Sequence, residues 1–146
     1  MTREKMVSKV LEVKEIKREQ IEAEVRKARE KLSAEQRVLE GFEQAFTATC
    51  VELTDRQVAG TLPVCEMDVY YAYIKQVCRQ IQRQKELILI RQREVIEREQ
   101  GMVESYKEQR LVEILRDKIV CQEVKLAGQA EQKYMDAEFI MRKAER

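Results

Sequence analysis

Ala59-Gly60-Thr61-Leu62-Pro63 is the one interruption in a helix-rich chain of 146 residues, and Pro63 is its single proline. Glycine relieves the backbone at a turn, and proline cannot continue a helix but fits its first turn. About 55 residues precede the break and about 80 follow it. At ~1.5 Å per residue these are helices of about 80 and 120 Å. The reading is an all-α chain, a long two-helix antiparallel coiled-coil hairpin with a longer C-terminal helix. Arm one is expected over about 3–57, the turn over 58–65 and arm two over 66–144, as a single domain spanning 1–146.

Working outward from the turn, a stripe spaced four and three apart runs down arm one. It reads Val7, Leu11, Lys14, Arg18, Ile21, Val25, Ala28, Leu32, Glu35, Leu39, Phe42, Phe46, Thr49 and Leu53, mostly apolar, which is a coiled-coil seam with polar interruptions. Folding the chain about the break pairs each position with the one that completes a sum of 123. The partners then read Arg116, Val112, Gln109, Ser105, Met102, Arg98, Val95, Arg91, Ile88, Gln84, Ile81, Val77, Ile74 and Tyr70, again at four–three spacing. Near the turn Phe46/Val77 and Phe42/Ile81 bring large apolar residues together, whereas Lys14, Arg18, Arg98 and Gln109 intrude toward the chain ends. A firm tip and a looser base follow. Met6, Val10 and Val13 lie on a shifted stripe, so a stutter is expected between Val13 and Ile21.

Composition narrows the function. Charged residues make up 38% of the chain and aromatics 5%, a mixture that with helical periodicity points to a coiled coil. The 28 Lys+Arg nearly cancel the 27 Asp+Glu, so nucleic-acid binding has little electrostatic support. The longest aliphatic run, Leu87-Ile88-Leu89-Ile90, is far too short for a membrane span, and a cytoplasmic location is expected. Cys50, Cys65, Cys78 and Cys121 are scattered singly and there is no histidine, which argues against a zinc site and removes the usual general base. The thiols read as structural and reduced. No enzyme, metal or cofactor is expected.

Under the 123 pairing, arm one ends where arm two reaches about residue 122. Some 24 residues, Glu123 to Arg146, then have no partner, and they carry Val124, Leu126, Ala130, Tyr134, Met135, Phe139, Ile140 and Met141. Fully burying one such large side chain is worth roughly 1.5–3 kcal/mol, so docking into a partner is favoured over a tail that folds back or frays. At the turn, Phe42, Phe46, Tyr70, Tyr71 and Tyr73 cluster. Tyr71 and Tyr73 cannot both face the seam, so this end reads either as core or as a second binding surface.

Three stretches carry a family resemblance: Tyr70-x-x-Tyr73-Ile74-x-x-Val77-x-x-x-Ile81-x-x-Gln84, then Tyr106-Lys107-Glu108-Gln109-Arg110-Leu111-Val112-Glu113-Ile114-Leu115-Arg116, then Glu131-Gln132-Lys133-Tyr134-Met135-Asp136-Ala137-Glu138. In that order around one turn they resemble the flagellar export protein FliJ family, the stalk of the flagellar type III export ATPase complex. Ala137 stands where the family usually has glutamate. The resemblance implies a stalk that enters the pore of the flagellar export ATPase hexamer, promotes ring assembly and hydrolysis, contacts the cytoplasmic domain of the export gate and escorts export chaperones. It implies a place at the inner membrane of the flagellar basal body, peripherally attached. The family's gate-contacting surface matches Leu39, Phe42, Phe46, Tyr73, Val77, Gln80 and Gln84. The ring-engaging end is assigned to the unpartnered tail, through Leu126, Ala130, Lys133, Tyr134, Met135, Asp136, Met141 and Arg142. The stalk of an injectisome-type secretion system shares this architecture, and a general coiled-coil scaffold is the rival from another functional class.

Overall fold

Two helices, α1 from Arg3–Val58 and α2 from Val64–Ala144, make the fold in a computed structural model that describes residues 2–145. They pack antiparallel as a hairpin. Both are rich in Glu, Lys, Arg, Gln, Leu and Ala, residues that lose little on entering a helix. Thr2 caps the first helix by accepting the Lys5 amide on Oγ1 at 3.4 Å. The other end of α1 closes in a Schellman arrangement. Thr61 N–H reaches back to the Arg56 carbonyl at 3.2 Å and Gly60 N–H to that of Gln57 at 3.1 Å, with Gly60 at φ 69°. That left-handed backbone is where glycine is needed. Pro63 sits one residue before α2, and its carbonyl accepts the amides of Glu66 and Met67, both at 3.1 Å.

Arg56 holds the turn together. Its guanidinium donates to the Thr61 carbonyl at 3.3 Å and to the Tyr70 hydroxyl at 3.3 Å, pairs with Glu66, and lies 5.7 Å from the Tyr70 ring centroid. Tyr70 passes the chain of bonds on, donating to Glu52 at 2.9 Å. Tyr70 first and Glu66 second hold the Arg56 pKa above its ordinary value. Because one side chain links the end of α1, the loop and the start of α2, Arg56→Ala is expected to lower the melting temperature by on the order of 2–4 °C. Arg110→Ala, which loses only its pair with Glu113 three residues along the same helix, is the control and should change little.

The seam read from the sequence is the buried face. All fourteen α1 positions, and all on α2 except Arg98, are buried or half-buried. The core residues Leu11, Val25, Ala28, Leu53, Val77, Ile88 and Val95 all belong to it, as do buried Gln84, Ser105 and Gln109. Cross-hairpin pairs lie close to that register: Lys14–Glu108, Glu24–Arg98, Glu52–Tyr70 and Arg56–Glu66 each add to 122, one short of 123.

Contacts divide the chain into two compact units, Glu22–Gly101 and Met1–Ile21 with Met102–Arg146. In the first, burial peaks at Val25, 2% exposed, while Phe42 and Phe46 are only half-buried. Val77, in the same layer as Phe46, is nearly as closely covered as Val25, whereas the larger Phe side chains stay half-buried because a two-helix seam covers one stripe. Arg98 leaves its seam position to pair with Glu24 at 3.2 Å. Arg91 stays half-buried, bonding Glu94 at 3.1 Å. Gln84 donates its amide to the Glu35 carbonyl at 2.8 Å.

The second unit corrects the expected stutter. Leu11, Lys14, Arg18 and Ile21 keep the four–three frame without a break, whereas Met6, Val10 and Val13 are exposed. Long cationic side chains make this possible, since they reach partners from a seam position. Lys14 bonds Glu108 at 3.0 Å, holding that carboxyl below its ordinary range, and Arg18 donates to Gln109 at 3.0 Å beside the Tyr106 ring. Where α1 begins, Glu4 lies against Glu123, whose carboxyl is raised by lost hydration first and by Glu4 second.

Candidate functional site

Near the turn, two residues apart on a helix means about 200° of rotation. Tyr71 and Tyr73 accordingly emerge on opposite flanks of the seam, 47% and 43% exposed. Gln80, two turns beyond Tyr73, is half-buried on the same flank. Of the other residues assigned to the gate-contacting surface, Leu39, Phe42 and Phe46 are half-buried, while Val77 and Gln84 lie in the core. An accessible face here consists of Tyr73, Gln80 and the half-buried Phe42 and Phe46, with Val77 and Gln84 in the core. On α1 a shallow groove opens along Phe46, Thr47, Cys50, Val51, Thr54 and Asp55. The sequence reading did not single out Val51 or Val69, which are 54% and 69% exposed. Both occupy outward positions of the seven-residue frame, which is the signal that finds them.

Beyond Val120 every described residue of α2 is exposed. All eight residues assigned to the ring-engaging end fall in this stretch. Leu126, Ala130, Tyr134 and Met141 line one side of it. Val124, Met135 and Phe139 lie on the opposite side, so apolar side chains surround the helix rather than forming one stripe. Asp136 and Arg142 are engaged within the helix, by Gln132 at 3.1 Å and Glu138 at 2.8 Å. A helix that is hydrophobic around its circumference is ordinarily buried on all sides.

Among the described residues no group of three or more His, Cys, Asp or Glu could hold a metal ion, and the four cysteines are free. Cys65, Cys78 and Cys121 are exposed and Cys50 is half-buried, so they contribute little to packing, contrary to a structural role. Among the described residues, no helix is long and apolar enough to cross a membrane.

A hairpin of two long helices with exposed apolar surfaces defines a coiled-coil, stalk-type protein. The family model described as Flagellar FliJ protein matches residues 4–146, and the chain belongs to that family. Membership and fold together give it a general FliJ-like stalk role in type III export. No curated protein and no solved structure matches the chain.

Proposed function

We propose that the chain is the stalk of a flagellar type III protein export apparatus, coupling the export ATPase to the export gate and thereby serving flagellum assembly and motility. In this reading it is cytoplasmic and associates peripherally with the inner membrane at the basal body. The end of α2 from Val124 enters the pore of the ATPase hexamer, and the observation that carries this is the tail's exposed apolar side chains on opposite faces. A flat surface would cover one face, whereas a pore covers both. A ligand that binds only the assembled ring stabilises it by mass action. ATPase activity is therefore expected to rise with added stalk and then saturate. Activity that stays flat across the titration rules the reading out.

The Tyr73 flank is assigned to the cytoplasmic domain of the gate, with Gln80, Leu39, Phe42 and Phe46 around it and Val77 and Gln84 supporting it from the core. Export chaperones complete the set of partners. Aromatic residues at the centre of an interface carry much of its affinity, and truncation of such an anchor costs about 2 kcal/mol or more. Tyr73→Ala is expected to weaken gate binding roughly 30-fold at unchanged helix content. Tyr71→Ala, on the opposite flank, should leave it within about threefold. Equal losses from the two substitutions, or loss of helicity with Tyr73→Ala, would remove Tyr73 from the interface.

A further inference from the structure

In the unit formed by Met1–Ile21 and Met102–Arg146, the seam is polar where its flank is apolar. Lys14, Arg18, Ser105, Gln109 and Arg116 occupy seam positions, all buried or half-buried. Val10 and Leu115, one position before Leu11 and Arg116, are 47% and 50% exposed, and Met6, Val13 and Leu111 continue the same apolar edge. The two edges lie side by side: one turn beyond Val13, Lys17 stands 4.0 Å from Glu108, which is one turn before Leu111. Lys14 already meets that same carboxylate oxygen at 3.0 Å.

We infer that this part of the hairpin holds two alternative seams, exchanged by counter-rotating α1 and α2 about their own axes. Successive residues are ~100° apart, so half that angle, about 50°, brings Val10 and Leu115 to the centre. Val7, Val112 and Ile119 remain in the seam, and Lys14 and Lys17 converge on Glu108. Leu11, Arg18, Gln109 and Arg116 turn out. The present seam gains burial of Leu11 and the Arg18–Gln109 bond beside Tyr106. Its alternative covers Val10 and Leu115 and returns Arg18 to water. Neither arrangement satisfies both sets, which is the condition for a two-state element. A one-stutter change of frame is all the helices need to accommodate it. Since α2 is unbroken to Ala144, turning it re-aims Leu126, Tyr134 and Met141 by the same angle. A partner that grips the tail thereby selects one seam. That last consequence rests on the proposed ring docking, whereas the two seams themselves are testable without any partner.

The test uses the full chain with Cys50, Cys65, Cys78 and Cys121 replaced by serine, changes that remove exposed or half-buried thiols only. Leu11→Cys/Val112→Cys reports the present seam and Val10→Cys/Leu115→Cys the alternative, because a disulfide needs Cβ atoms within ~3.5–4.5 Å. Circular dichroism checks that each variant is helical. The Val10/Leu115 pair is expected to close within one molecule no more than about a hundredfold slower than the seam pair, the rate a per-cent-level minor state supports. Adding Arg18→Leu/Gln109→Leu, which fills the present seam, should slow that closure by about tenfold or more. Failure of the Val10/Leu115 pair to close overturns the inference. Closure that is indifferent to Arg18→Leu/Gln109→Leu overturns it too, since simple fraying would then suffice.

Discussion

Removal of residues 124–146 is expected to return export ATPase activity to its unstimulated level while leaving gate binding at the hairpin tip intact. The physical basis is how little the hairpin loses. Among the described residues, the last on α2 with a cross-hairpin partner is Glu123, facing Glu4, and those beyond it are exposed. Every seam contact survives the cut. What is lost is Val124, Leu126, Tyr134, Met135, Phe139, Ile140 and Met141, each more than half exposed. Burying a side chain of this size is worth roughly 1.5–3 kcal/mol, so several of them exceed the ordering cost of docking. Single changes on opposite sides sharpen the expectation. Leu126→Ser and Phe139→Ser should each weaken stimulation roughly tenfold if the tail is enclosed. Should only one of them matter, the tail lies in a one-sided groove, and stimulation by the truncated chain would place the ATPase contact elsewhere.

Most of the fold was legible because two separate patterns had to agree. The turn was marked by Gly60 and Pro63, and the four–three spacing on either side of it allowed one register. Side-chain length was harder to read. Met6, Val10 and Val13 looked like a redirected seam, yet Lys14 and Arg18 keep the original one by reaching Glu108 and Gln109. Binary patterning scores a lysine as an intrusion, whereas its apolar stem covers the seam and its ammonium stays at the edge. The Leu87–Ile90 run shows the converse: only Ile88 is buried, and Leu89 and Ile90 are half exposed, since four consecutive helix residues span the whole circumference.

The Arg56 clamp was not legible, because Thr61, Glu66 and Tyr70 become neighbours only after the chain has turned. The candidate surfaces divided in the same way. The unpartnered tail followed from subtracting one arm from the other, while its two-sided apolarity needed the helix phase of Val124, Met135 and Phe139. At the tip, the family resemblance could name Val77 and Gln84 as part of an expected surface, but not that the seam covers them. Burial depends on what the opposite helix presents at the same level, which a motif does not encode.

That distinction has a direct consequence for Val77. It is 3% exposed, its layer partner in the register is Phe46, and its seam neighbours are Ile74 and Ile81, so no cation stands at this level to meet a carboxylate. Two charges at other seam positions have a partner in reach: Lys14 has Glu108 and Arg91 has Glu94. An aspartate is too short to reach water from the centre of the seam, and an uncompensated buried charge costs about 3–5 kcal/mol. Val77→Asp is therefore expected to lower the unfolding free energy by that amount and to abolish gate binding through loss of the tip's structure. Val69→Asp places the same charge two turns earlier on α2 at a position 69% exposed, where changes stay within about 0.5 kcal/mol. Val77→Ala separates packing from contact: it opens a small cavity and should cost about 1–2 kcal/mol while leaving the Tyr73 face in place. Denaturant midpoints followed by circular dichroism measure all three. Equal midpoints for the two aspartate variants would mean that position 77 faces solvent, and Val77 would then return to the list of residues that touch the gate directly.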